Sequence, residues 1–147
     1  MRQTERALQR EIMTRLRHAP LDAVVQASPN GIFIPARTQA EQVMARRVVH
    51  QLKIDGQLTP GAPDLTFLWR DGSGCIELKR PAERTLLQRR QAGRLSPEQI
   101  AFREHCNLHG VPYVVCESWP DVRDTLIAWG RLPAGYTDPE QRIGRAA

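Results

Sequence analysis

Two rhythms of apolar residues run through this chain. Near the start, Leu8, Ile12 and Leu16 recur every four residues, which predicts a helix over about residues 4–17, ended by Pro20. Glu5 and Gln9 share that helical face, so Glu5 stands at its inward edge or remains a solvated first-turn acid. Asp22 to Ala27 reads as a strand, 28–31 as a turn, and Ile32-Phe33-Ile34 as a second short strand. Thr38 is placed to cap a helix running to about Ile54, where Val43, Met44, Val48 and Leu52 alternate with Arg46, Arg47 and His50.

The middle of the chain switches to extended patterning. Asp64-Leu65-Thr66-Phe67-Leu68-Trp69 and Cys75-Ile76-Glu77-Leu78-Lys79 flank the turn-forming run Asp71-Gly72-Ser73-Gly74. A hairpin central to the sheet is expected. Residues 82–94 are polar and basic, and a helix is the expectation there. Ser96, Pro97 and Glu98 form a helix start, and Gly110 ends that helix. Gln99, Phe102 and Cys106 make its sheet-facing stripe. Pro112 to Cys116 is a buried strand, and Ser118 caps a last helix with Val122, Leu126 and Trp129 inward. From Arg131 the periodicity stops. The expected organisation is one α/β domain over residues 1–131, a mixed central sheet flanked by helices, and a C-terminal tail over 132–147.

Composition narrows the class. The 147 residues carry a net charge of +5 and a pI near 9.7, and arginine dominates the cations. Guanidinium forks suit phosphate, so a polyanionic partner fits. Three cysteines without a CxxC pair argue against a disulfide framework. No run is long enough for a membrane span and no signal-peptide pattern opens the chain, so a cytoplasmic protein is expected.

The hairpin holds the candidate chemistry. Glu77 and Lys79 lie two apart on one strand and leave the same face, while Ile76 and Leu78 leave the other. Asp64 opens the partner strand. Two carboxylates and a lysine can serve a metal-assisted phosphodiester cut: Asp64, Glu77 and the Leu78 carbonyl as oxygen ligands, Lys79 beside the attacking water. The plainer alternative is a surface ion pair on an exposed hairpin. It leaves unexplained why a strand apolar on one face is charged on the other.

His105, Cys106 and His109 invite a zinc site, but Cys106 belongs to the inward stripe and no fourth ligand has suitable spacing. Cys75 and Cys116, in strands, read as small core residues. Trp69, Trp119 and Trp129 read as packing residues.

Gly61-Ala62-Pro63-Asp64-Leu65, Ile76-Glu77-Leu78-Lys79, Leu95-Ser96-Pro97-Glu98-Gln99 and Gly110 before a Val-rich strand together resemble the VRR-NUC family, within the PD-(D/E)xK nucleases. The resemblance runs from about residue 5 to 130. It implies a restriction-endonuclease-like core and Mg²⁺- or Mn²⁺-dependent cleavage of DNA. It assigns Asp64 and Glu77 to the metal, Lys79 to catalysis, Glu5 to assisting the metal, and Gln99 to the helix beside the site. Stand-alone members resemble homodimers that act on branched DNA such as four-way junctions, and a two-fold dimer suits two cuts. The segment after Lys79 is longer than the family's usual link. Arg80, Arg84, Arg89, Arg90 and Arg94 either track a DNA backbone there or form a solvated basic surface. A flap- or restriction-type nuclease, a non-catalytic DNA-binding module and a basic module meeting acidic protein are the competing readings.

Overall fold

The computed structural model describes residues 5–28, 38–56, 59–80, 84–85, 88–89 and 94–139. Helix α1 (Glu5–His18) buries Leu8, Ile12 and Leu16, the four-residue repeat of the sequence. Its acid at the start and Arg15, Arg17 and His18 at the end suit the helix dipole. Strand β1 (Val24–Ala27) follows. Helix α2 (Gln39–Ile54) starts in a capping box, Glu41 N–H donating to Thr38 Oγ1 at 3.2 Å and Thr38 N–H to Glu41 Oε2 at 3.2 Å. The expected strand at Ile32–Ile34 lies outside the described residues.

Strands β2 (Leu65–Trp69) and β3 (Gly72–Leu78) form the hairpin. The turn is tighter than the sequence suggested. It comprises Arg70 and Asp71 alone, and Gly72 to Gly74 belong to β3. These glycines serve packing rather than turning. A Cβ on Gly74 would lie 2.7 Å from ring atoms of both Trp69 and Trp129. Arg131 closes this corner, with its guanidinium 4.3 Å from the Trp69 ring centroid and 3.2 Å from Asp71.

After Lys79 the expected basic helix is replaced in part by a small antiparallel ladder. Strand β4 (Arg84–Thr85) pairs with β5 (Gln88–Arg89). The segment lacks an apolar stripe at helical spacing, since Leu86 and Leu87 are adjacent, so local strand pairing satisfies the backbone instead. Helix α3 (Pro97–Leu108), strand β6 (Tyr113–Cys116) and helix α4 (Trp119–Ala128) complete the order. Among the described residues, no helix is long and apolar enough to cross a membrane.

The main sheet runs β1-β2-β3-β6, so the hairpin is central. β1, β2 and β3 are antiparallel, whereas β6 lies parallel to β3, reached through α3 as a crossover. This is the mixed α/β sheet of a restriction-endonuclease-like core. One face presents Leu65, Phe67, Ile76, Leu78 and Cys116 to α1 and α4, which contribute Leu8, Ile12, Leu16, Val122 and Leu126. The other face carries α3.

The chain beyond α4, expected as an aperiodic tail, packs onto this core as far as it is described. Leu132, Tyr136 and Asp138 are buried. Trp119 Nε1 donates to Asp138 Oδ2 at 2.8 Å, and Arg15 approaches the same oxygen at 3.4 Å. Single specific contacts of this kind leave no periodicity for sequence reading to detect. By contrast, α2 leaves Val43, Met44, Val48 and Ile54 exposed.

Candidate active site

Strand register decides where the charges go. Leu65 pairs with Ile76, and the next step of the ladder sets Asp64 opposite Glu77. Residues facing each other across an antiparallel pair have Cβ atoms only about 4.5–5.5 Å apart, and like charges there oppose stability. The sheet therefore holds two carboxylates against each other on its α3 face.

One more step sets Pro63 opposite Leu78. On β3 the N–H groups of Cys75 and Lys79 donate toward β6, to Pro112 O at 2.8 Å and Cys116 O at 2.9 Å. Alternation then turns the N–H and C=O of Leu78 toward β2. Pro63 has no N–H to offer that carbonyl. The Leu78 N–H, in turn, donates to Asp64 Oδ2 at 2.7 Å and fixes the carboxylate beside the carbonyl. The Pro-Asp pair thus ends the ladder and seats the first acid. The preceding loop is fixed as well: Gly61 has a φ of +76°, and a side chain there would run into the backbone of Glu98 and Gln99.

Glu77 is 2% exposed. Its Oε1 receives Lys79 Nζ at 2.9 Å and the Gln99 side-chain amide. Its Oε2 is buried and has no hydrogen-bond partner among the described residues. Burial, and then the charge of Asp64, push the Glu77 carboxyl up to about 7 against the opposing pull of Lys79. Asp64 is also raised, chiefly by burial, with the Leu78 N–H and Lys79 opposing and the charge of Glu5 adding to the rise. Both acids therefore hold a proton more readily than free carboxylates do, and the pair has affinity for a proton or a cation.

Gln99 is held by a capping box. Its backbone N–H donates to Ser96 Oγ at 3.2 Å, and its Oε1 accepts the Ser96 N–H at 2.9 Å. With the carbonyl end committed to the cap, the NH₂ end must face Glu77. The S-x-x-Q spacing that does this is visible in the sequence, although sequence reading used only its Ser.

The other expected residues are more scattered. Glu5 opens α1, is exposed, and reaches the site through its charge on Asp64. Arg80 and Arg94 are exposed at the two ends of the basic segment, Arg84 and Arg89 lie on β4 and β5, and Arg90 lies outside the described residues. His105 and His109 stack on each other at the surface, ring centroids 4.6 Å apart, while Cys106 is buried toward Cys75, so the three do not converge. Among the described residues no three His, Cys, Asp or Glu side chains form a metal-holding group. The donors at Asp64 and Glu77 are two carboxylates and a backbone carbonyl. Mg²⁺ commonly takes one or two carboxylates and keeps waters, and an all-oxygen set with one orphaned buried carboxylate oxygen fits that hard ion rather than zinc.

One residue beside this centre had no chemical signal in the sequence. Tyr113 of β6 pairs with Cys75 and so joins the α3 face. A parallel register between segments this far apart is set by the tertiary fold. A family model for the VRR-NUC domain matches residues 3–120. No curated protein and no solved structure matches the chain.

Proposed function

The chain belongs to the VRR-NUC family, and on that premise we propose that the Asp64–Glu77–Lys79 centre hydrolyses DNA phosphodiester bonds with Mg²⁺ or Mn²⁺. A VRR-NUC domain is a nuclease-type DNA-processing domain, so DNA is the substrate. The observation that carries the finer reading is the state of Glu77. One of its oxygens is held by Lys79 and Gln99, and the other is buried opposite Asp64 without a partner among the described residues.

Asp64, Glu77 Oε2 and the Leu78 carbonyl would hold the ion. When bound, it supplies charge neutralisation at the phosphate and lowers the cost of forming hydroxide. The chain's own groups do the rest. Lys79, anchored on Glu77, orients the attacking water and offsets the charge that develops on the phosphoryl oxygens. Gln99 keeps Glu77 from rotating, and Glu5 assists from the start of α1. The attack comes from water without a covalent intermediate. The thiol on this face, Cys75, is buried and pushed up to about 12 by burial and the neighbouring Cys106, so it stays protonated.

Arg80 and Arg94, with Arg84, Arg89 and Arg90 between them, would follow the DNA backbone away from the cut. The enzyme would act in the cytosol as a homodimer on branched DNA such as a four-way junction. The exposed apolar residues of α2 support a second copy, which would bring two centres to a two-fold substrate. The test is a panel of linear duplex, flap, fork and four-way junction, each with Mg²⁺ and with Mn²⁺. The expected outcome is ion-dependent cutting with preference for the junction. Cutting that persists in chelator would overturn the ion's role, and equal cutting of linear duplex would overturn the branched preference.

A further inference from the structure

Tyr113 shares the α3 face with Cys75, Glu77 and Asp64, because paired residues of neighbouring strands point to the same side of a sheet. Its ring lies against Phe102 of α3, centroids 6.4 Å apart, and is held between helix and sheet. Its hydroxyl oxygen is buried and has no hydrogen-bond partner among the described residues. Burial raises its pKa, and the charges of Glu77 and then Asp64 raise it further, so the group keeps its proton and lies in the field of the two acids. If the ring served packing alone, phenylalanine would fill the space without burying a hydroxyl.

A second buried atom on this face is also without a partner among the described residues: Glu77 Oε2. One is a donor and the other an acceptor. Buried polar atoms in folded proteins are satisfied by protein or by ordered solvent in nearly every case, and a solvent molecule needs two to four polar partners. We propose that Tyr113 is a positioning residue of this centre, its hydroxyl donating to a solvent oxygen that is shared with Glu77 Oε2. Tyr113 then steadies the second oxygen of Glu77 as Lys79 and Gln99 steady the first. No bond is made or broken in this role. The inference rests on the reading of Glu77 as the heart of the nuclease centre, and deepens it by one residue.

Two measurements test it. A high-resolution crystal structure of the ion-free wild-type protein is expected to show a solvent peak within hydrogen-bond distance of both Tyr113 Oη and Glu77 Oε2. Ordered density without that peak, or a Tyr113 hydroxyl bonded to a protein atom, overturns the proposal. This readout does not depend on the protein cutting DNA, so it stands even if the substrate panel fails. Tyr113→Phe is the second measurement. The hydroxyl makes no hydrogen bond to the described residues, so the melting temperature is expected to stay or rise, and DNA affinity to be unchanged. The single-turnover cutting rate is expected to fall about five- to tenfold, the worth of one hydrogen bond. A wild-type cutting rate in Tyr113→Phe, or a loss of several degrees in melting temperature, overturns the proposal.

Discussion

The two faces of the central sheet are built from the same four strands and obey opposite rules. On the α1/α4 face, Leu65, Phe67, Ile76, Leu78 and Cys116 are all at most 1% exposed and none is charged. That face stabilises the fold. On the α3 face, the register of the same strands, continued one step past Leu65–Ile76, brings Asp64 opposite Glu77, and Lys79 is buried beside them while Glu77 Oε2 has no partner among the described residues. That face costs stability, and it is where we propose that the chemistry takes place. Stability and activity should therefore separate by face, and substitutions on the two sides of one strand should fail in different assays.

The largest expected effect is on the charged side. Lys79→Ala should lower the single-turnover cutting rate by about a thousandfold, the scale for losing a group aimed at charge in the transition state. Its circular dichroism should remain native. The counterpart on the apolar side is Phe67→Ala. It removes a ring at 0% exposure that meets Trp129 edge-on, and should cost about 3–5 kcal/mol in denaturant unfolding. If Phe67→Ala were neutral in stability, the division between the faces would fail.

The next effect is in pH. The unfolded Glu77 side chain titrates near 4.5 and the folded one near 7. Because the folded pKa is raised, ionisation costs more in the native state. Stability from this group is full below about 4.5 and is lost as pH rises through about 7, the reverse of a salt-bridged carboxylate. The loss is on the order of 3 kcal/mol at most, and Asp64, also raised, adds to it in the same direction. Urea melts of the ion-free protein at pH 5 and pH 8 should show lower stability at pH 8. Mg²⁺ should restore more stability at pH 8 than at pH 5, because at pH 5 it would have to compete with protons for the carboxylate pair. Equal melts at both pH values would contradict the buried carboxylate pair.

A smaller effect separates helix capping from chemistry. Gln99→Glu keeps both capping-box bonds, since a carboxylate accepts the Ser96 N–H as the amide does. It replaces the donor to Glu77 by a like charge. Cutting should fall about tenfold to a hundredfold while the melting temperature at pH 5 changes little. A large loss of melting temperature there would mean that Gln99 is chiefly structural.

Local rules in the sequence carried much of this architecture. The four-residue repeat in α1, the caps at Thr38, Ser96 and Ser118 and the same-face spacing of Glu77 and Lys79 are consequences of single segments, and they lie where expected. What stayed hidden needed contacts between segments. Gly72 and Gly74 looked like turn residues because glycine usually is one, but Trp69 and Trp129 need the space over them. The last described segment looked structureless because Leu132, Tyr136 and Asp138 are held one at a time. Tyr113 had no signal at all, since it joins the face that carries Glu77 only through the β3–β6 register.

In the proposed function, Glu77 is held in the native state for chemistry and against stability. Glu77→Gln tests it most directly, with cutting rate and urea melt measured on the same preparation at pH 8 with and without Mg²⁺. Cutting should be abolished, the ion-free protein should be more stable than wild type because one of two opposed charges is gone, and Mg²⁺ should no longer add stability. A Glu77→Gln protein that cuts at the wild-type rate, or that is less stable than wild type at pH 8, would contradict it.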